Sequence, residues 1–239
     1  MKVRKLLSVF LVPKSIRTLK YKHSVKRKLI THLLQDYGWA KSMDKDECID
    51  RSGKPIPWFS YPAIDFLSQL NCTDKEVFEY GCGFSTLYWG ARAKSVFSVE
   101  SDLKWIEKIK SKMPVNCKLI PSSLNVEEYS GKISSFLQQF DIIVIDGYIK
   151  TRVACCEKAL RQLKPGGIII LDNSDRCLHS AAVLRNAGLI QCDFTGFAPL
   201  SAHAQTTSIF FSRDYNFLPI NDYQPHKSVA QPFMPYPNG

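Results

Sequence analysis

The stretch Phe78 to Thr86 reads FEYGCGFST: an acid, two glycines one residue apart and two hydroxyl side chains in quick succession. Residues of those types at that spacing suit a loop that cradles a nucleotide. Val77 to Tyr80 are a short apolar run of strand type, and Ser85 and Thr86 can cap a helix opening on Leu87, Tyr88, Trp89 and Ala91. A strand, a glycine turn and a helix start make the nucleotide corner of a doubly wound sheet, because glycine accepts positive φ and lets a ligand approach the backbone. The third glycine of a dinucleotide fingerprint is missing, with Thr86 in its place, and bulky Phe84 crowds the helix start where a pyrophosphate would sit. NAD is therefore disfavoured. Seventeen residues past Gly83, the apolar run SVFSVE ends in Glu100. A carboxylate there can accept both hydroxyl hydrogens of a ribose diol, or it can cap the helix that Ser101 and Asp102 begin. Taken with Glu79, Gly81 and Gly83, the ribose reading is the stronger.

The rest of the chain must position these groups. Its 239 residues suffice for one good-sized core with appendages, and no apolar run approaches the roughly 18 residues that span a bilayer. The net charge of +10 is localised: ten Lys or Arg and no acid fall within residues 1–35, and the remaining 22 basic residues match 22 acidic ones. The apolar stretch Leu6 to Val12 imitates a signal peptide but stops at Pro13, with no small-residue cleavage site and more lysines beyond. Residues 1–35 thus read as a basic arm. It suits an anionic membrane surface or RNA phosphates, or equally a solvated helical extension packing Leu29, Ile30, Leu33 and Leu34 on the body. Eight scattered cysteines lack metal spacing, and Cys82 has no neighbouring histidine to make it a nucleophile. The expectation is a reduced, cytoplasmic protein, with the arm as a route to the membrane periphery.

From Val77 onward strands and helices alternate. Helices are expected at Leu103–Met113, Glu127–Gln138, Thr151–Leu163 and Asp175–Ala187. Strands are expected at Cys117–Pro121, in FDIIVIDG, in KPGGIIILDN, and at the closing pair LIQCDF and TTSIFFS. Continuous apolar strands between helices mean a parallel sheet covered on both faces. Residues 36–75 form a helical lead-in with a proline-punctuated loop, residues 76–213 the main domain, and residues 214–239 a tail holding five of the thirteen prolines.

From about Trp58 to Phe211 the chain resembles the class I S-adenosylmethionine (SAM) methyltransferases. The resemblance rests on VFEYGCGFSTLYWGARAKSVFSVE, FDIIVIDG and LKPGGIIILDN, in order and in register. It implies a doubly wound, mostly parallel seven-stranded sheet with an antiparallel last strand, and SAM as cofactor. It places Glu79 near the ammonium group, Gly81, Gly83 and Ser85 along the methionine and ribose, Glu100 on the diol, Ser122 toward adenine and Asp146 in the pocket. Ser122 and Ser123 stand where the family often has an acid. Trp58 and Tyr61 would wall the sulfonium by cation–π contact, or simply pack.

Asp146, Asp172 and Asn173 resemble the three oxygen ligands that hold magnesium in catechol-type O-methyltransferases, a set suited to a hard cation. Ile149 replaces the lysine base of those enzymes, leaving Lys150 and His203 as candidates beside Asp146. The chain is also similar to bacterial methyltransferase-like proteins associated with surface-polysaccharide or secondary-metabolite genes. The resemblance implies O-methylation of a small molecule or saccharide. The alternatives are an RNA methyltransferase recruited by the arm and a non-catalytic SAM-binding module. IDGY stands where amino-methylating nucleic-acid enzymes carry an Asn/Asp-Pro-Pro-aromatic motif, and no Pro-Cys pair occurs.

Overall fold

The computed structural model describes residues 22–221 and 224–230; most of the basic arm, residues 1–21, lies outside them. In chain order come α1 (Lys22–Thr31), α2 (Trp39–Lys45), α3 (Tyr61–Leu67), β1 (Glu76–Tyr80), α4 (Phe84–Gly90), β2 (Ser95–Glu100), α5 (Leu103–Lys110), β3 (Cys117–Pro121) and α6 (Val126–Gly131). They are followed by β4 (Phe140–Ile145), α7 (Arg152–Gln162), β5 (Leu163–Leu171), α8 (Leu178–Asn186), β6 (Ile190–Phe197) and β7 (Ala204–Phe211). The seven strands form one sheet in the order β3-β2-β1-β4-β5-β7-β6. All pairings are parallel except those of β7, which runs antiparallel to both β5 and β6.

The central strands are buried on both faces, as their unbroken apolar runs require. Alternation along each strand splits them between two clusters. Ile142, Val144, Ile168 and Ile170 face one cluster, beneath α3 and α4; Ile143, Ile145, Ile169 and Leu171 face the other, beneath α7 and α8. The strand order reverses between β1 and β4, which opens a crevice at their carboxyl ends, the place where such sheets bind ligands.

Three expectations shift. The helix expected over Glu127–Gln138 stops at Gly131 and tightens into a 3-10 turn over Lys132–Ser135, where the Ser135 hydroxyl donates to the Lys132 carbonyl at 2.7 Å. The closing strands run longer than the apolar runs suggest, because Thr195 and Thr206 extend the ladder and share a hydroxyl hydrogen bond of 2.8 Å. On α1, Leu29 is 69 % exposed rather than packed, whereas Leu33 beyond it lies against the core.

The lead-in and the tail cross the sheet. Ile49, Ile56 and Phe59 share the first cluster with Phe217. The tail is stitched to the end of α3 by the Asn71 amide to Leu218, the Ile220 amide to Gln69, and a triad of Tyr37, Asp65 and Ser228 with all three contacts at 3.1 Å. None of the cysteines is paired, and no helix among the described residues is long and apolar enough to cross a membrane.

Candidate cofactor-binding site

The loop after β1 is fixed from within. Gly81 has φ +95°, and a Cβ there would sit 3.1 Å from backbone atoms of Asp146 and Gly147, so both conformation and space demand glycine. The Gly81 amide donates to the Val99 carbonyl at 2.8 Å. The Gly83 amide donates to the Thr86 hydroxyl at 3.0 Å, and that hydroxyl donates to Glu79 Oε2 at 2.5 Å. Ser98, paired with Glu79 across β1 and β2, donates to the same oxygen at 2.8 Å. Strand alternation thus turns Glu79 inward, under α4. Its Oε1 makes no hydrogen bond, although Ser85 lies near enough to favour the charge. Burial pushes its carboxyl up to about 7, against the hydroxyls around it. Trp105 of α5 covers the loop: its indole Nε1 donates to the Cys82 carbonyl and would lie 3.4 Å from a Cβ at Gly83.

Glu100 takes the capping role and ties the glycine loop to the end of β2. Its Oε1 caps the turn into α5, accepting from the Ser101 and Asp102 amides at 2.6 and 2.9 Å, and its Oε2 accepts from the Cys82 amide at 3.0 Å. The side chain stays half-buried at the end of β2, and each carboxylate oxygen offers further lone-pair capacity to a diol. Ser122 donates its amide to the Glu100 carbonyl, while its hydroxyl and that of Ser123 turn to Glu128. The Ser123 hydroxyl, helped by Lys132 and the Ser123 amide, holds the Glu128 carboxyl down at about 2. Glu128, absent from the sequence reading, thus places a carboxylate beside the two serines that stand where the family often has an acid.

At the ends of β4 and β5 the organising residue is Arg152, which the sequence reading also missed. Its guanidinium donates to Asp146 Oδ1 at 3.0 Å, to the Asp146 carbonyl at 3.1 Å, to the Gly147 carbonyl at 2.9 Å and to the Asp172 carbonyl. Arginine in the first turn of a helix opposes the dipole, and that was the one available signal that Arg152 serves something else. Burial raises the Asp146 carboxyl and Arg152 draws it back; burial raises Asp172 well above the carboxylate range, with Asp146 adding repulsion.

Asp172 is 2 % exposed. It accepts from the Thr207 hydroxyl at 2.5 Å and from the Gln205 amide at 3.4 Å. Asn173 turns the chain in the left-handed region, at φ +47°. This donor set does not fit a hard cation. Arg152 already holds one oxygen of Asp146, and both oxygens of Asp172 accept from β7.

The remaining candidates separate. Lys150, after β4, and His203, before β7, are both exposed. Tyr61 is buried in the first cluster with its ring 4.6 Å from that of Tyr37, and its hydroxyl makes no hydrogen bond. Trp58 is 44 % exposed at the mouth, its carbonyl accepting from Gln205 at 3.0 Å.

No protein-family model and no curated protein sequence matches the chain. Solved structures do. A structure from Klebsiella pneumoniae, an inferred O-methyltransferase, matches with a TM-score of 0.53 at 15 % identity, over 79 % of this chain and 96 % of its own. The precorrin-6y C5,15-methyltransferase of Geobacter metallireducens matches with a TM-score of 0.52 at 14 % identity, over 63 % of this chain and 87 % of its own. The sheet order, the reversed β7 and the glycine loop at the β1–β4 crevice are thus those of a known architecture: the chain has the fold of the class I SAM-dependent methyltransferases.

Proposed function

We propose that this protein binds SAM and transfers its methyl group to a hydroxyl oxygen of a small molecule or saccharide. The supporting observation is the convergence of the Gly81–Gly83 loop, Glu100 and Asp146 at the strand-order reversal. The residues fit the cofactor: a part-exposed carboxylate stands at the β2 end for a ribose, and the buried Glu79 leaves one oxygen without a partner beside the loop. Bound SAM supplies an electrophilic methyl carbon on a sulfonium. The glycine loop would offer its backbone at close range, and Glu100 would accept from the diol.

A hydroxyl is a poor nucleophile until its proton leaves, and we assign that proton to Asp146. Of the three candidate bases it alone is part-buried; Arg152 holds one of its oxygens, and the other makes no hydrogen bond among the described residues. Calorimetry should detect binding of SAM and S-adenosylhomocysteine (SAH). A screen of small-molecule and saccharide hydroxyls should find turnover that EDTA leaves unchanged. Absence of SAM and SAH affinity would sink the cofactor reading, and turnover lost to EDTA and restored by magnesium would return Asp146 and Asp172 to a metal.

The basic arm is proposed to contact an anionic surface, a membrane or RNA. On α1, Val25 and Leu29 lie one turn apart and are 58 % and 69 % exposed, beside Lys26, Arg27 and Lys28. Deleting residues 1–28 should leave SAH affinity unchanged and abolish salt-sensitive binding to anionic vesicles or RNA. If the full chain binds neither at low salt, the arm is an extension only.

A further inference from the structure

The lead-in turns sharply where α2 ends, at Asp46 with φ +53°, and then crosses toward the sheet. Two lysines of the α5 region meet it there. Lys108 Nζ lies 3.4 Å from both the carbonyl and Oδ2 of Asp46, and also 4.9 Å from the centre of the Trp105 ring. Trp105 in turn holds the Cys82 carbonyl and lies against Gly83. In parallel, Lys112 pairs with Glu47 and lies 5.4 Å from the centre of the Phe84 ring, the first residue of α4. Two acid–lysine–aromatic ladders therefore connect consecutive residues of the lead-in to the two aromatic residues that flank the glycine loop. The next residue, Cys48, is 2 % exposed, and Asp146 is among the charges that push its thiol up. Cys48 and Phe84 belong to the same buried cluster.

We propose that Asp46–Cys48 is a latched cover over the cofactor loop, and that Trp105 is the positioning residue through which the latch acts on Gly83. This inference rests on the SAM reading for what passes beneath the cover, but not for the latch itself. Lys108 and Lys112 each bind an acid on one side and an aromatic face on the other, so closing the cover also presses the loop into place. Opening costs two partly exposed ion pairs, the Ile56 amide bond to the Cys48 carbonyl and the burial of the Cys48 side chain, and its ionic part is sensitive to salt.

The test is the double variant Asp46→Asn/Glu47→Gln, which keeps shape and removes both charges. Iodoacetamide labelling of Cys48, read by peptide mass spectrometry without any ligand, should accelerate about three- to tenfold, the range two such pairs allow. Wild type in 1 M NaCl should show the same acceleration. The SAH dissociation rate, measured by stopped flow, should rise by a similar factor. Unchanged Cys48 labelling in both the variant and high salt would overturn the latch, whatever the fate of the cofactor reading. Faster labelling with an unchanged SAH dissociation rate would overturn the cover's role over the cofactor loop. Failure of wild type to bind SAH, with labelling accelerated, would instead count against the cofactor reading.

Discussion

Arg152→Met is expected to lower the free energy of unfolding by about 3–5 kcal/mol, the usual cost of leaving one member of a buried charge pair alone. The variant keeps most of the side-chain volume and so creates little cavity. It leaves the Asp146 carboxylate without its counter-ion and the carbonyls of Asp146, Gly147 and Asp172 without a common donor. The loss depends on pH with a definite sign. Asp146 is already raised by burial, and Arg152 is what draws it back. Without Arg152 the carboxyl rises further, so the deficit is greatest at neutral and higher pH and shrinks as acid protonates Asp146. Arg152→Lys should recover only part, since an ammonium cannot reproduce the guanidinium fork. Urea unfolding followed by circular dichroism at pH 5 and pH 8 measures all three. A deficit under 1 kcal/mol at pH 8 would make Arg152 a bystander.

The second large effect is on ligand affinity. Glu100→Ala should weaken SAH binding by about 1–3 kcal/mol, roughly 5- to 150-fold, because a bound diol would lose both of its acceptors. Part of any loss could come from the Cys82, Ser101 and Asp102 amides that Glu100 also holds. Glu100→Gln separates the two roles. Its amide oxygen still accepts, but its nitrogen cannot, so one diol contact survives and the affinity should fall between wild type and alanine. Titration calorimetry with all three proteins gives the ranking. Equal affinities across them would remove Glu100 from the cofactor site.

What could be read from the sequence followed the range of the interaction. The strands at Val77, Phe140 and Ile168, and the glycine loop between β1 and α4, are written in contiguous residues, and they lie where their apolar runs and turn chemistry put them. Glu100 was legible as a strand-end acid, although its hold on the Cys82, Ser101 and Asp102 amides needed coordinates. Arg152 was not legible. Its partners are backbone carbonyls at positions 146, 147 and 172, and a carbonyl has no residue type to read. The lead-in was equally opaque, since Asp46 and Glu47 look like solvated charges until α5 brings Lys108 and Lys112 against them. The metal set failed for a related reason. Asp146, Asp172 and Asn173 have suitable identities and spacing, but Thr207 and Gln205, from a strand over thirty residues further on, had already engaged Asp172.

The reversal of strand order has a consequence for how the molecule assembles. β1 meets β2 almost at once, Val77 beside Val96, but its other neighbour is β4, with Val77 beside Ile142. The sheet is two locally wound halves, β1–β3 and β4–β7, closed along that one non-local ladder. Contacts distant in sequence are slow to form because loop closure must precede their reward, so the joining of the halves is the expected late step of folding. The crevice lies on that seam. Neither half carries it alone: a chain arrested before β4 pairs has the glycine loop but not Asp146 or Arg152. Any ligand that binds the crevice therefore binds only the fully joined chain, and acts as a clasp on the last bond of the fold to close.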